Sequence, residues 1–470
     1  GTQLDTGDFD GHLKALSGFA WGAEHSGIPA LRAFYDRGTH LDLSHGAAAD
    51  QNGHHLEELS GPLDLVCCSA SAQSADTPPT SRIFPERGSA VLRSGWGPDA
   101  TVISLRAGAW FNHEHHDEGS FQVSAFGQTL VDEAGYASYY TDPHYADYFS
   151  QAAGHNALLI GGDPFSQAAF SGRYWAAFNR PHFSNWLLAS SFDYLAADLT
   201  SAYDGRLENY QREFIFLKPD ILVIFDHVRS AQPHRFSWLL HTPSGSKLTM
   251  NGTHASIEPA GSDAGVSLTA AGPNAVWTDA STPVSIALFK DLDDKRIEVR
   301  HELLLHSSPS TSTQFLAGLK FNRGEASETQ LETWNEPAGE GFRTIQGEPA
   351  SVILRTGAGP LRISDVTTNG SVLAQQGGAN PAWMAVAASS IDEDRHPLFH
   401  ATTPMNVTWE KGSSGLTLSL HNAEATVVEV FVATAPHHVE VDGQQVSPEY
   451  KNQQLLLPSL PAGDHRISIR

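Results

Sequence analysis

The chain has 470 residues, of which 40% are hydrophobic and 17% are charged, a composition that indicates a globular protein rather than a disordered one. Its 53 acidic and 29 basic residues give a formal net charge of -24. This charge argues against a nucleic-acid partner, because phosphate binding needs a basic face, but a local cleft could still take an anionic substrate. Adjacent Cys67 and Cys68 do not suggest a disulfide scaffold.

The N-terminal region is predicted to be helical. Leu13, Leu16 and Phe19 recur at helical spacing, and a second helix is predicted from Pro29. Two or three helices bury little surface alone, so residues 1–68 are expected to end a larger helical domain. The polar start lacks signal-peptide features and an initiator Met, so we expect a mature form or a fragment. Residues 69–81, rich in Ser, Ala and Pro, are predicted to be a linker.

From residue 82 onward the pattern changes to short β-strands that end at Gly, Pro or Asp. Examples are Thr101–Leu105, Phe121–Phe126 and Ile221–Phe225. Many strands with hairpin-like spacing and few helices predict antiparallel sheets packed face to face. We expect this sandwich to cover residues 82–380, followed by a smaller β segment at 381–470.

A dense group of histidines and acids precedes the strand that begins at Phe121. It runs from His113 to Glu118, and Asp132 and His155 stand at the ends of later strands. Imidazole and carboxylate groups suit zinc, and His113 and His115 would face the same side of a strand. A solvated turn without metal is the alternative at this point.

Four segments in this order resemble the heparinase II/III family of polysaccharide lyases: Phe84–Trp96, His113–Phe121, Leu130–Gly135 and Gly154–Asn156. Arg212, Asp226 and His241 fit the same pattern further along the chain. The resemblance implies an N-terminal (α/α) toroid joined to a large antiparallel β-sandwich. Only the last toroid helices would be present here, so the chain is expected to be the C-terminal part of a longer protein.

The resemblance also implies roles for individual residues. Zinc would be held by His115, Asp132 and His155, with Asp117 and Asn156 orienting these ligands through hydrogen bonds. His113 would point into the substrate cleft as a catalytic residue, and Tyr140 is the nearest match to a catalytic tyrosine. Tyr148, Gln151 and Trp175 are candidates for substrate binding, with loop packing as the alternative for the aromatic residues. His116 is either a spare ligand or a surface residue, and the surface is favoured.

The reaction implied by the resemblance is β-elimination at a uronic acid, in a polymer of heparin, heparan sulfate or alginate type. The resemblance also implies Zn²⁺ as cofactor, a periplasmic or secreted location, and a missing toroid half that completes the site. The oligomeric state stays open between a monomer and a homodimer. A zinc-stabilised carbohydrate-binding module without catalysis is the alternative, and a zinc hydrolase is a third reading.

Overall fold

A computed structural model describes residues 79–108, 115–135, 144–167, 180–272, 275–280, 300–324, 330–413 and 415–470, with the backbone alone at 284–288 and 291–298. The helices predicted within residues 1–68 and most of the predicted linker lie outside these residues. Within them, no helix is long and apolar enough to cross a membrane.

The first sheet has five antiparallel strands in chain order. Its second strand, Ser89–Arg93, buries every second residue, as expected for alternating side chains along a strand. The strands are β1 (Arg82–Phe84), β2 (Ser89–Arg93), β3 (Val102–Arg106), β4 (Phe121–Ala125) and β5 (Gln128–Val131).

Two further sheets complete the first sandwich. One has eight strands in the order β12-β13-β14-β19-β10-β9-β8-β7, the other has four in the order β15-β18-β11-β6, and β16 and β17 pair separately. Their bounds are β6 (Leu158–Ile160), β7 (His182–Leu188), β8 (Phe192–Asp198), β9 (Asn209–Leu217), β10 (Ile221–His234), β11 (Phe236–His241), β12 (Lys247–Asn251), β13 (His254–Glu258), β14 (Ala264–Ala271), β15 (Thr278–Asp279), β16 (Val284–Leu288), β17 (Asp291–Glu298), β18 (Glu302–His306) and β19 (Ser310–Arg323).

The eight-stranded sheet is buried on both faces. One face shares a hydrophobic core with the five- and four-stranded sheets, in which Phe214 contributes beside Phe121 and Trp238. The other face packs on the C-terminal strands through Ile215 and Val223. Burial on both faces explains why β9 and β10 contain continuous apolar runs rather than alternating ones.

The C-terminal region forms one 15-stranded antiparallel sheet system with its own core. Its strands are β20 (Leu331–Glu336), β21 (Gly339–Thr344), β22 (Ala350–Arg355), β23 (Leu361–Ile363), β24 (Val366–Thr368), β25 (Val372–Gln376), β26 (Ala382–Glu393), β27 (His396–Gly412), β28 (Gly415–Asn422), β29 (Val428–Phe431), β30 (Val439–Val441), β31 (Gln444–Val446), β32 (Glu449–Lys451), β33 (Gln454–Leu456) and β34 (Gly463–Ile469).

The boundary predicted near residue 380 falls inside this sheet system, between hydrogen-bonded neighbours β25 and β26. The sheet system begins instead at Leu331, after β19 has closed the first sandwich. Loop-rich composition around residue 380 marks a hairpin connection and not a domain boundary. The prediction of a mainly β protein with antiparallel sheets is confirmed; the toroid helices lie outside the described residues.

Among the described residues, three short helical turns interrupt the strands: a π-helix at Tyr145–Phe149 and 3-10 helices at Ala152–Gly154 and Thr200–Tyr203. The first two lie between β5 and β6. The amide of Ala134 donates to the carbonyl of Gly154 at 2.9 Å, so the segments that carry Asp132 and His155 lie side by side.

Candidate active site

The segment from His115 to Ser120 forms a loop that leads into β4, and its charged side chains are buried. Arg106 on β3 lies between two of them, with its Nε 3.7 Å from Oδ1 of Asp117 and 3.5 Å from Oε1 of Glu118. Gln167 donates to the carbonyl of Glu118 at 2.8 Å and accepts from its amide at 3.1 Å. Asp117 therefore helps to hold the histidine loop in place through Arg106.

His116 is buried, which corrects the prediction that it lies on the surface. Burial, together with the nearby His155, lowers the pKa of His116 to about 4, so its ring is neutral at physiological pH. The neighbouring charged residues in the sequence suggested a solvated turn. Their mutual pairing with Arg106 allows the whole loop to be buried instead.

His155 is fully buried, and its ring centroid lies 5.2 Å from that of His115. Nδ1 of His155 lies 3.2 Å from Oε1 of Glu133, which also accepts a short hydrogen bond from Ser120. Burial acts to lower the pKa of His155, but the charge and hydrogen bond of Glu133, together with Asp117 and the backbone of Phe149, raise that pKa overall. Within the described residues, Nε2 of His155 makes no hydrogen bond of normal geometry.

Asp132 follows β5 and pairs with a cation. Its carboxylate forms a short ion pair with Arg300, and its Oδ1 accepts from Nε2 of Gln122 at 3.3 Å. Arg300 also donates to the carbonyl of Glu133 at 2.9 Å. The guanidinium therefore neutralises the carboxylate that the sequence assigned to zinc.

Asn156 joins four segments of the site. Its amide nitrogen donates to the carbonyls of Phe121 and Asp132 at 2.6 and 2.7 Å, which fixes its oxygen as an acceptor. That oxygen accepts from the backbone amide of His241 at 2.7 Å and from its ring Nδ1 at 3.1 Å. The backbone oxygen of Asn156 accepts from Arg212 at 2.6 Å. Asn156 thus sets the tautomer of His241, with the proton on Nδ1.

Arg212 and Asp226 form a fully buried, bidentate ion pair at 2.9 and 2.8 Å. Tyr210 donates to the same carboxylate at 2.9 Å, and Arg212 also donates to the carbonyl of Gly119 at 2.6 Å. The register of β9 and β10 places Asp226 directly opposite Arg212, whereas Glu213 points to the other face.

Three ionisable side chains form a row across neighbouring strands. Asp132 is bridged to His241, and His241 is paired with Glu302 in the β11–β18 ladder. Directly opposed residues of antiparallel strands project to the same face, so the three side chains stand side by side. We call Asp132, His241 and Glu302 the cross-strand row.

The row extends to the π-helix through Tyr148, whose hydroxyl donates to Oε1 of Glu302 at 2.5 Å. Burial raises the pKa of Glu302 to about 6, although the hydrogen bond from Tyr148 opposes that shift. Burial lowers the pKa of His241 to about 3, and its Nε2 lies 3.9 Å from Glu302. His241 is therefore neutral.

Sequence reasoning missed Glu133, Arg300 and Glu302, and it gave His241 no role. His241 ends a fully buried strand, and Glu302 begins a strand whose three central leucines are buried. Asp132 was singled out in the sequence because it is an ionisable residue at the end of an apolar strand, and the same pattern could have indicated His241 and Glu302. No local spacing could reveal the contacts, since Arg300 and Asp132 are 168 residues apart.

Of the remaining predicted residues, Gln151 lies at the start of the 3-10 helix, with its side chain donating to Ser150 at 3.1 Å. His113, Tyr140 and Trp175 lie outside the described residues, so their predicted roles stay predictions.

Zinc requires three or four ligands around one point. The close rings of His115 and His155 suit this, with Glu133 beside one ring as an orienting carboxylate. Asp132 does not suit it in this arrangement, because Arg300 holds its carboxylate. Over the part of the chain that the structure describes, no three His, Cys, Asp or Glu side chains are grouped as a metal site.

Comparison with known proteins shows which family the chain belongs to. A family model described as "Heparinase II/III-like, C-terminal" matches residues 76–314, which include every strand of the five-stranded sheet and the whole cross-strand row. The chain belongs to the heparinase II/III-like family. It is 29% identical over 100 residues to a heparin-sulfate lyase of Bacteroides thetaiotaomicron, a match that covers 19% of this chain and 14% of that protein.

Solved heparinase structures share the fold of this chain. A heparan sulfate lyase, HepC, from Pedobacter heparinus has a TM-score of 0.55 at 13% identity, over 76% of this chain and 50% of that one. A heparinase III gene product has a TM-score of 0.53 at 14% identity, over 73% and 48%. The chain thus spans about half the length of these lyases, which at this identity show the fold alone.

Proposed function

We propose that the chain is part of a polysaccharide lyase that cleaves uronic-acid-containing glycosidic bonds by β-elimination. The observation that carries the proposal is the family match over residues 76–314, which contains the buried cluster of histidines and acids. A heparan sulfate type of substrate is favoured over alginate, because the similar proteins include a heparin-sulfate lyase and a heparan sulfate lyase.

Elimination demands a base for the C5 proton, a proton for the leaving O4 oxygen, and neutralisation of the adjacent carboxylate. We assign the last task to His113 and propose Tyr140 for proton transfer. Tyr148, Gln151 and Trp175 would contact the sugars. Asp117 would position the site through its ion pair with Arg106, and Asn156 through its hydrogen bond with His241. A toroid half would supply the other wall of the cleft.

Zinc remains part of the proposal as a stabilising ion at His115, Asp132 and His155. Binding would require Asp132 to exchange Arg300 for the metal, and we assign no step of the reaction to it. A secreted or periplasmic location fits a substrate of this size, and a homodimer is a further option within the proposal.

The test is to incubate the chain, alone and joined to its helical half, with heparan sulfate, hyaluronan and alginate. The expected result is ultraviolet absorbance from an unsaturated uronate with at least one polymer. Binding of a polymer without any such product would favour the non-catalytic binding module instead. Absence of product from all three would overturn the lyase proposal.

A further inference from the structure

Tyr148 and Glu302 come from distant parts of the chain and meet at the cross-strand row. Tyr148 lies on the π-helix, Glu302 begins β18, and 154 residues separate them. The Tyr148 ring is only partly buried and packs beside Phe149, whereas the Glu302 side chain is 13% exposed. The hydroxyl end of Tyr148 is therefore fixed at a mostly buried carboxylate.

Tyr148 donates its hydroxyl hydrogen to Glu302, and the neighbouring His241 and Arg300 are engaged with other residues. Nδ1 of His241 is directed to the side-chain oxygen of Asn156, and Nε2 of His241 lies 3.9 Å from Oε1 of Glu302, beyond hydrogen-bond distance. Arg300, two residues before Glu302, is paired with Asp132. The hydrogen of Tyr148 is thus committed to Glu302, and the phenolic oxygen keeps its lone pairs for a donor outside the pair.

We propose that Glu302 is a positioning residue: it orients the Tyr148 hydroxyl so that its oxygen accepts a hydrogen bond from a hydroxyl group of the bound sugar. This inference rests on the proposed function, since the sugar is the substrate of the lyase. Asn156 completes the arrangement, because its hydrogen bonds hold His241 in a position where Nε2 stays 3.9 Å from Glu302 and does not compete with Tyr148.

The pair Tyr194 and Glu213 provides a matched control. Tyr194 donates to Oε2 of Glu213 at 2.8 Å on the other face of the eight-stranded sheet, where Tyr194 is part of the core shared with the C-terminal strands. Removal of that pair should affect stability and leave substrate affinity unchanged.

The experiment compares Tyr148→Phe, Glu302→Ala, Glu302→Gln and the Tyr148→Phe/Glu302→Ala double variant with Tyr194→Phe and Glu213→Ala. Loss of one hydrogen bond predicts KM about five- to tenfold higher for Tyr148→Phe and Glu302→Ala, with kcat nearly unchanged. Glu302→Gln keeps an acceptor oxygen, so it should stay within about twofold of wild type. The double variant should match the single variants, because each breaks the same contact.

Calorimetric binding of heparan sulfate oligosaccharides keeps this test separate from the lyase assay. If wild type forms no unsaturated product, the proposed function fails, but the same order of variants in Kd would still support the pair. Glu302→Gln as weak as Glu302→Ala, or control variants that shift KM or Kd equally, would overturn the positioning role. A wild-type chain that neither cleaves nor binds would overturn both proposals.

Discussion

The side-chain oxygen of Asn156 accepts hydrogen bonds from both the backbone amide and the ring Nδ1 of His241, at 2.7 and 3.1 Å. Because the amide nitrogen of Asn156 is bound to two carbonyls, neither end of the side chain can be exchanged without loss. One buried side chain thus connects β4, the end of β5 and β11. Its removal leaves several buried polar groups without partners.

We therefore expect Asn156→Ala to lower the free energy of unfolding by at least about 3 kcal/mol, since each unsatisfied buried group costs roughly 1–3 kcal/mol. Urea denaturation measures this. Asn335→Ala, at an exposed position of β20, is the control and should change stability by less than about 0.5 kcal/mol. Equal effects in the two variants would contradict the central role of Asn156.

The buried pair of Arg212 and Asp226 predicts a second large effect. Arg212→Met leaves the Asp226 carboxylate in the core without its cation, which should cost about 3–5 kcal/mol. Arg206→Met removes a half-exposed pair with Asp163 and should cost less than about 1 kcal/mol. Chemical denaturation of both variants tests the contrast, and similar losses would show that burial does not govern the Arg212 pair.

A third prediction concerns the pH dependence of stability. Burial and the nearby Asp226 raise the pKa of Glu213 from 4.5 to about 7, against the hydrogen bond from Tyr194. The folded chain then holds the Glu213 proton more tightly than the unfolded chain does. The free energy of unfolding therefore falls as the pH rises from about 4.5 through about 7 and Glu213 loses this proton. The loss should total about 2–3 kcal/mol.

Unfolding experiments at about pH 5 and about pH 8 measure this loss, and Glu213→Gln should reduce it. Glu208→Gln, in an exposed pair with Arg229, is the control and should retain the wild-type pH dependence. An identical pH dependence in wild type and Glu213→Gln would contradict the assignment.

Metal content provides a fourth prediction. If the proposed ligand set is correct, His115→Ala and Asp132→Ala should each lower both the zinc content and the Tm of purified protein, because bound metal stabilises the folded state. Elemental analysis and thermal unfolding measure the two quantities. Arg300→Gln tests the competition directly: it frees Asp132 and should increase zinc affinity. Stoichiometric zinc that is unchanged in both His115→Ala and Asp132→Ala would place the ion elsewhere.

The sequence predicted the fold class well, because alternating and continuous apolar runs mark strands such as β2 and β10 directly. It also drew attention to Asp132 and His155, because ionisable residues at strand ends are conspicuous. It did not predict the pairing of these residues. Arg300 and Glu302 reach the site only through the β11–β18 ladder, which no local spacing reveals. The boundary near residue 380 was misplaced for a similar reason, because a hairpin loop resembles a linker in composition.

Elimination and hydrolysis give products of different mass, so the masses of the reaction products test the proposed reaction most directly. Defined heparan sulfate oligosaccharides are digested by the chain joined to the helical half proposed for it, and the fragments are measured by mass spectrometry. Elimination predicts that the masses of the two fragments add up to the mass of the substrate, with the unsaturated uronate on one of them. Fragments whose summed mass exceeds that of the substrate by one water molecule would show hydrolysis and contradict the proposed lyase activity.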